Sequence, residues 1–148
     1  IREGRQLKSY EGGELVYRLL TALLRTLEAP SLPEPSPAVA AALHYMKEHF
    51  SDRFSMDELA DSLGLSAAYF TRLFARETGQ TPLACLTGIR LSRAVFLLLN
   101  TSLGMEEIAL SCGFSCGNYF CKVFRKASGV SPSEYRSRNG RQRRPVHL

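Results

Sequence analysis

One stretch of this chain is written twice. Phe54-Ser55-Met56-Asp57-Glu58-Leu59-Ala60-Asp61-Ser62-Leu63-Gly64-Leu65-Ser66 lines up with Leu103-Gly104-Met105-Glu106-Glu107-Ile108-Ala109-Leu110-Ser111-Cys112-Gly113-Phe114-Ser115 at an offset of 49. One extra residue follows Ser115. At an offset of 50, Tyr69-Phe70 then matches Tyr119-Phe120, Leu73-Phe74 matches Val123-Phe124, Gly79 matches Gly129 and Pro82 matches Pro132. Glycines and aromatics that coincide in this way define a duplicated unit. A chain of 148 residues has room for one compact domain or two very small ones, so the repeat dominates any architecture it adopts.

Each copy reads as helix, tight turn, helix. In the first, Ser55 and Glu58 have capping-box spacing for a short helix that buries Leu59, Ala60 and Leu63. Gly64 supplies a left-handed stop, and Ser66 caps a second helix running to about Thr78. Phe70, Leu73 and Phe74 fall on one face of it, leaving Ala68, Thr71, Arg72 and Arg76 on the other. The second copy repeats the plan, with Gly113 as turn and Ser115 as cap. There Phe120, Val123 and Phe124 face inward, while Gly117, Cys121, Lys122, Arg125 and Lys126 face outward. A short helix, a glycine turn and a second helix form the geometry that lays one helix in a major groove.

Between the copies, Thr81-Pro82 opens a helix expected to run to about Asn100. Roughly 18 residues at 1.5 Å each span about 27 Å, close to the ~34 Å between successive major grooves on one side of a duplex. Upstream, Ser36-Pro37 starts a helix through about Phe50, burying Val39, Leu43, Met46 and Phe50. The fold class expected is all-α, with two helix-turn-helix subdomains joined by a long central linker helix. A separate amphipathic helix at 14–28 precedes them, with apolar residues at 16, 19, 20, 23, 24 and 27. The domain boundaries expected are 1–29 for a remnant of an amino-terminal sensing or dimerisation domain, 30–37 for a stiff Pro-rich linker, 38–137 for the tandem unit and 138–148 for a basic flexible tail.

The net charge of +5 is unevenly placed. Residues 1–135 hold fourteen basic and fourteen acidic side chains, and the excess sits at Arg136, Arg138, Arg141, Arg143 and Arg144. More telling, stretches 66–76 and 115–126 contain no acidic residue, which favours nucleic acid over a merely solvated face. No apolar run reaches the roughly 18 residues needed to cross a bilayer, Leu15–Leu27 being interrupted by Arg18 and Arg25. No secretory signal is visible, and a cytoplasmic location without membrane contact is expected.

Catalytic signatures are missing: there is no phosphate loop, no His-Glu-x-x-His run and no nucleophile elbow. The expectation is a protein that is not an enzyme and carries no cofactor. Cys85, Cys112, Cys116 and Cys121 contain no CxxC pair and match no standard zinc spacing, so no metal site is expected. Core packing beside the turn accounts for Cys112, and thiol sensing by the 112, 116, 121 group is the sharper alternative. The Tyr69-Phe70 and Tyr119-Phe120 pairs could stack bases, but helical spacing assigns the phenylalanines to the core.

The most specific residues lie in the second copy: Ile108-Ala109, Gly113-Phe114-Ser115, Tyr119-Phe120, Phe124-Arg125-Lys126, Gly129 and Ser131-Pro132-Ser133-Glu134-Tyr135-Arg136. With Arg90-Leu91-Ser92-Arg93-Ala94 and Leu97-Leu98-Leu99-Asn100-Thr101, they make residues 38–136 resemble the DNA-binding region of the AraC/XylS family of transcription regulators. The resemblance implies a fold of about seven helices, sequence-specific binding of double-stranded DNA by two recognition helices in successive major grooves, and control of transcription. It places Ala68, Thr71 and Arg72 of the first recognition helix, and Gly117, Asn118, Cys121 and Lys122 of the second, at base edges. Arg76, Arg125 and Lys126 complete the basic face, and Ser66 and Ser115 suit phosphate contact. Arg72 suits guanine and Asn118 adenine.

Several positions depart from the family pattern. Ala68 and Gly117 are small, Lys122 stands where arginine is common, Cys85 replaces a tyrosine that Tyr135 retains, and Gly88 lies inside the linker helix. RNA polymerase is a further expected partner, and helix 14–28 is a candidate for homodimer pairing. The rival class is a protein-interaction module, which promoter-length duplex would leave unshifted.

Overall fold

The computed structural model describes residues 33–140. The helix expected at 14–28, the first residues of the Pro-rich linker and the tail beyond 140 lie outside them. Within the described residues the fold is seven helices with no strand: α1 Pro37–Glu48, α2 Met56–Ser62, α3 Ala67–Thr78, α4 Pro82–Asn100, α5 Met105–Ser111, α6 Gly117–Ser128 and α7 Pro132–Gly140.

Local sequence explains most of these limits. Pro37 opens α1, where its missing N–H costs nothing. The Ser36 hydroxyl does not cap it, because both the amide and the hydroxyl of Ser36 donate to Glu77 Oε2, at 2.8 and 3.0 Å. The capping box at α2 is complete: Ser55 N–H donates to Glu58 Oε2 at 2.8 Å, and Glu58 N–H to Ser55 Oγ at 3.1 Å. At α5 only half of it survives. Gly104 N–H donates to Glu107 Oε2 at 2.8 Å, but glycine has no side chain to return the bond. The duplication extends to finer detail, since Thr81 and Ser131, fifty residues apart, cap α4 and α7 by accepting from Ala84 N–H and Glu134 N–H, both at 3.2 Å.

Two cores form, and α4 serves both. Its amino-terminal half gives Cys85 and Leu86 to a cluster with Val39 and Met46 of α1 and Phe70 and Phe74 of α3. Its carboxy-terminal half gives Ala94, Val95, Leu97 and Leu98 to a cluster with Ile108, Phe120, Phe124 and Tyr135. Phe70, Phe74, Phe120 and Phe124 are among the largest fully buried side chains. Burying side chains of that size contributes about 1.5–3 kcal/mol each, which makes these aromatics the main cohesive elements of the two units.

The structure moves several expected features. α1 ends at Glu48 rather than near Phe50, and Leu43, Phe50, Leu63 and Val123 are half-buried instead of fully inside. α7 reaches Gly140, so positions 138–140, assigned to the tail, are helical. α4, at 19 residues, is long and apolar enough by length and composition to cross a membrane, although Arg90 and Arg93 interrupt its apolar run. Its buried apolar residues are shared between the two cores, while Leu83 and Phe96 lie exposed.

Candidate nucleic-acid interface

The outward faces of α3 and α6 carry the candidate contacts. On α3, the Ser66 hydroxyl accepts the Tyr69 N–H at 3.3 Å and starts the helix. Gly79, at φ 80°, ends it. With Phe70, Leu73 and Phe74 buried, Ala68, Thr71, Arg72 and Arg76 are turned to solvent. On α6, burial of Phe120 and Phe124 leaves Asn118, Lys122, Arg125 and Lys126 exposed, with Cys121 half-buried. Ion pairs among the described residues are His49–Asp52 and Glu134–Arg138, so none of the five cations on these two faces is neutralised by one. Unpaired cations on exposed helix faces are what phosphate and base-edge recognition requires.

The start of α6 differs from expectation. The N-cap is Cys116, not Ser115, and it makes no side-chain capping bond. The extra residue after Ser115 lengthens the turn by one, which carries Ser115 out of the capping position, although its side chain remains exposed. Gly117 is buried rather than outward. Its N–H donates to Glu106 Oε2 at 2.6 Å, and a Cβ built on it would meet that oxygen at 2.5 Å. Gly117 therefore has no free face to offer a base edge. Glu106 was missed in the sequence; the inserted residue signals that the hydroxyl cap of the first copy is displaced, but not which group replaces it.

The tyrosines part company with their phenylalanine neighbours. Tyr69 is 46% and Tyr119 53% exposed, while Phe70 and Phe120 are fully buried. Tyr119 lines an open cleft between the units with Arg53, Arg90 and Ser115. The floor of that cleft is the junction of the two subdomains. Arg90 donates from Nε to Phe50 O at 2.7 Å and from Nη2 to Asp52 O at 3.1 Å. A second arginine does similar work at the far end of α4: Arg136, counted with the tail charge in the sequence, donates to Leu98 O at 3.1 Å and Leu103 O at 2.7 Å. Its guanidinium is a structural tie in α7.

The cysteines follow their burial. Cys85 and Cys112 are buried, and desolvation pushes each thiol up to about 11 despite nearby cations. Cys121 is raised by burial first and then by the Glu106 carboxylate. Raised thiols are poor nucleophiles, and among the described residues no cluster of His, Cys, Asp and Glu suits a metal ion.

A helix-turn-helix domain model matches residues 59–138. The chain is 31% identical, over 94% of its length, to the xylose operon regulatory protein of Escherichia coli (strain K12), and spans 39% of that relative. It is similar to the C-terminal domain of AraT, a response regulator from Geobacillus stearothermophilus, at 35% identity and a TM-score of 0.70, covering 78% of this chain and 95% of the other. It is also similar to the DNA-binding domain of AdpA, a global transcriptional factor solved in complex with a target DNA, at 32% identity and a TM-score of 0.68, covering 76% of this chain and all of that one.

Proposed function

We propose, for a chain that belongs to the AraC/XylS family of helix-turn-helix transcription regulators, that α3 and α6 enter successive major grooves of one duplex. DNA binding and transcription regulation are the family's work. The finer reading is that both units engage together and that each contributes base contacts.

One observation carries this reading: two homologous helix pairs are built onto opposite halves of a single 19-residue helix, each with its cations exposed. At 1.5 Å per residue, α4 spans about 28 Å, comparable with the ~34 Å separating successive grooves on one face of B-form DNA. Arg72 and Asn118 are the candidates for bidentate contacts to guanine and adenine. Thr71, Cys121 and Lys122 supply further contacts to base edges. Arg76, Arg125 and Lys126 hold phosphates, joined by the Ser66 hydroxyl at the start of α3 and the exposed Ser115 hydroxyl in the turn before α6. Ala68 presents a methyl group to the groove, suited to thymine.

Selection of bound duplexes from a random pool tests the proposal. Two preferred blocks about 10 bp apart are expected, with binding that weakens steeply as salt is added. A single block, or no preference at all, would overturn the two-groove reading. The regulatory reading places the protein with the chromosome in the cytoplasm and adds RNA polymerase as a second partner. Pairing through residues 14–28 is a separate proposal, which a strictly monomeric sedimentation profile at high concentration would refute.

A further inference from the structure

The two recognition helices begin differently. α3 starts under a neutral hydroxyl, Ser66 Oγ. α6 starts under a carboxylate supplied by the preceding helix, with Gly117 N–H donating to Glu106 Oε2. In the first copy the corresponding residue is Asp57, one carbon shorter, on a turn one residue tighter. Gly117 is the residue that permits the arrangement, because its Cα packs so closely that a Cβ would meet Glu106 Oε2 at 2.5 Å and Glu106 Cα at 3.3 Å.

The charge of Glu106 also reaches the reading face, since it helps to raise the thiol of Cys121, which lies one turn along α6. Stretch 115–126 has no acidic residue of its own, so Glu106 brings a negative charge to an otherwise basic helix through tertiary structure alone. An anion at a helix start satisfies the free amides and the helix dipole. It also opposes any phosphate that approaches the same end.

We propose that Glu106 is a specificity-determining positioning residue for DNA, setting the start of α6 through Gly117 and holding charge there so that indiscriminate phosphate contact is weakened. This rests on α6 being a recognition helix. Base contacts hold a matched duplex in a register that keeps its phosphates clear of Glu106, whereas a random duplex, docked on phosphates alone, approaches the carboxylate and bears more of the repulsion. Both units read bases, but the first, with its uncharged cap, sets no such penalty on loose phosphate contact, so the second adds the larger share of discrimination.

The test uses the full 148-residue chain as wild type, Glu106→Gln, Glu106→Ala and, as a control in the other copy, Asp57→Asn. Affinity is measured for the best duplex recovered from the random pool and for a scrambled duplex of the same length and composition, across a salt series. Glutamine keeps an acceptor oxygen for Gly117 and loses the charge. It should raise affinity for the scrambled duplex about threefold or more, lower the selected-to-scrambled ratio accordingly, and leave the melting temperature nearly unchanged. Alanine should lower both the ratio and the melting temperature. Asp57→Asn should move the ratio by less than about twofold.

A Glu106→Gln ratio indistinguishable from wild type overturns the proposal, as does an equal effect of Asp57→Asn, which would reduce the matter to net charge. A variant that only melts earlier, with the ratio intact, assigns Glu106 a structural role and has the same consequence. Failure of the DNA reading is distinguishable, because it is seen in the wild type, which would then not prefer the selected duplex.

Discussion

Arg90 and Gly113 converge on the same main-chain oxygen. Arg90 Nε donates to Phe50 O at 2.7 Å, and a Cβ built on Gly113 would lie 2.5 Å from that oxygen and 2.9 Å from Arg90 Nε. The joining helix, the loop of the first unit and the turn of the second thus meet at one carbonyl. Burial lowers the Arg90 pKa from its usual value, yet arginine keeps its proton at any ordinary pH, so the clamp is permanent. The two apolar cores are separate clusters on the two halves of α4, and these polar contacts bridge the units beside the joining helix.

Arg90→Ala should therefore act on binding as well as on stability. Losing two charge-assisted bonds to carbonyls is expected to cost about 2 kcal/mol by chemical denaturation. Affinity for a duplex with both blocks should fall more than affinity for a duplex with one. Lysine should rescue only in part, since it lacks the fork that reaches two carbonyls. An alanine variant with wild-type preference for the two-block duplex would show that the clamp does not set the angle.

Gly113 and Gly64 hold matching places in the two copies, but their surroundings differ. Gly64, at φ +71°, has open space around its missing side chain, whereas Gly113, at φ +85°, faces backbone at contact distance. Gly64→Ala should cost about 1 kcal/mol, the left-handed conformation alone. Gly113→Ala should cost at least about 2 kcal/mol, because the clash adds to that strain. Equal losses in melting experiments would contradict the close approach.

The displaced cap predicts an asymmetry between serines that the repeat aligns. Ser66→Ala removes a real N-cap and should destabilise the fold by about 1 kcal/mol. Ser115→Ala removes an exposed hydroxyl that caps nothing and should stay within about 0.5 kcal/mol of wild type. Urea titrations of the two variants decide this, and a larger loss at Ser115 would restore it as the cap.

Arg72 and Lys126 should fail in different ways. Arg72→Ala is expected to cost about 1–3 kcal/mol on the selected duplex and to relax preference at one base pair. Lys126→Ala should weaken selected and scrambled duplexes alike and reduce the salt slope by about one. Neither should move the melting temperature much, since both side chains are exposed. Uniform weakening by Arg72→Ala would remove it from base recognition.

Alkaline pH should unfold the protein through its buried thiols. Cys85 and Cys112 rise from a reference value of 9.0 to about 11 in the fold. A raised folded value means that folding favours the protonated thiol. The contribution to stability is complete below pH 9 and is lost as pH climbs through about 11. Denaturation midpoints should fall across that window, and less so in a variant carrying Cys85→Ala and Cys112→Ala. At pH 8, alkylation should reach half-exposed Cys116 well before either buried thiol.

Legibility in the sequence followed the range of the interaction. The capping box of Ser55 and Glu58, the glycine stops at 64 and 113 and the buried faces of α3 and α6 are all set within one or two helical turns, where spacing speaks directly. Cys116 as N-cap lies within reach of the same logic, because the residue inserted after Ser115 puts Cys116, at the offset of 50, where Ser66 stands in the first copy. Glu106 was not readable as a cap, because it acts eleven residues away from another helix. Tyr119 was not readable as a cleft residue, because its exposure depends on where the other unit lies.

Taken alone, the amino-acid order determined that there would be two helical units, which side of each helix would be apolar, and which side would carry unpaired cations. Helical periodicity repeats every 3.6 residues, so such faces are inscribed locally. Tertiary structure alone decided how the units are joined and how the second one begins. A guanidinium meeting a carbonyl forty positions away, or a carboxylate seated on another helix's first amide, leaves no periodic trace; only the packed chain brings those groups together.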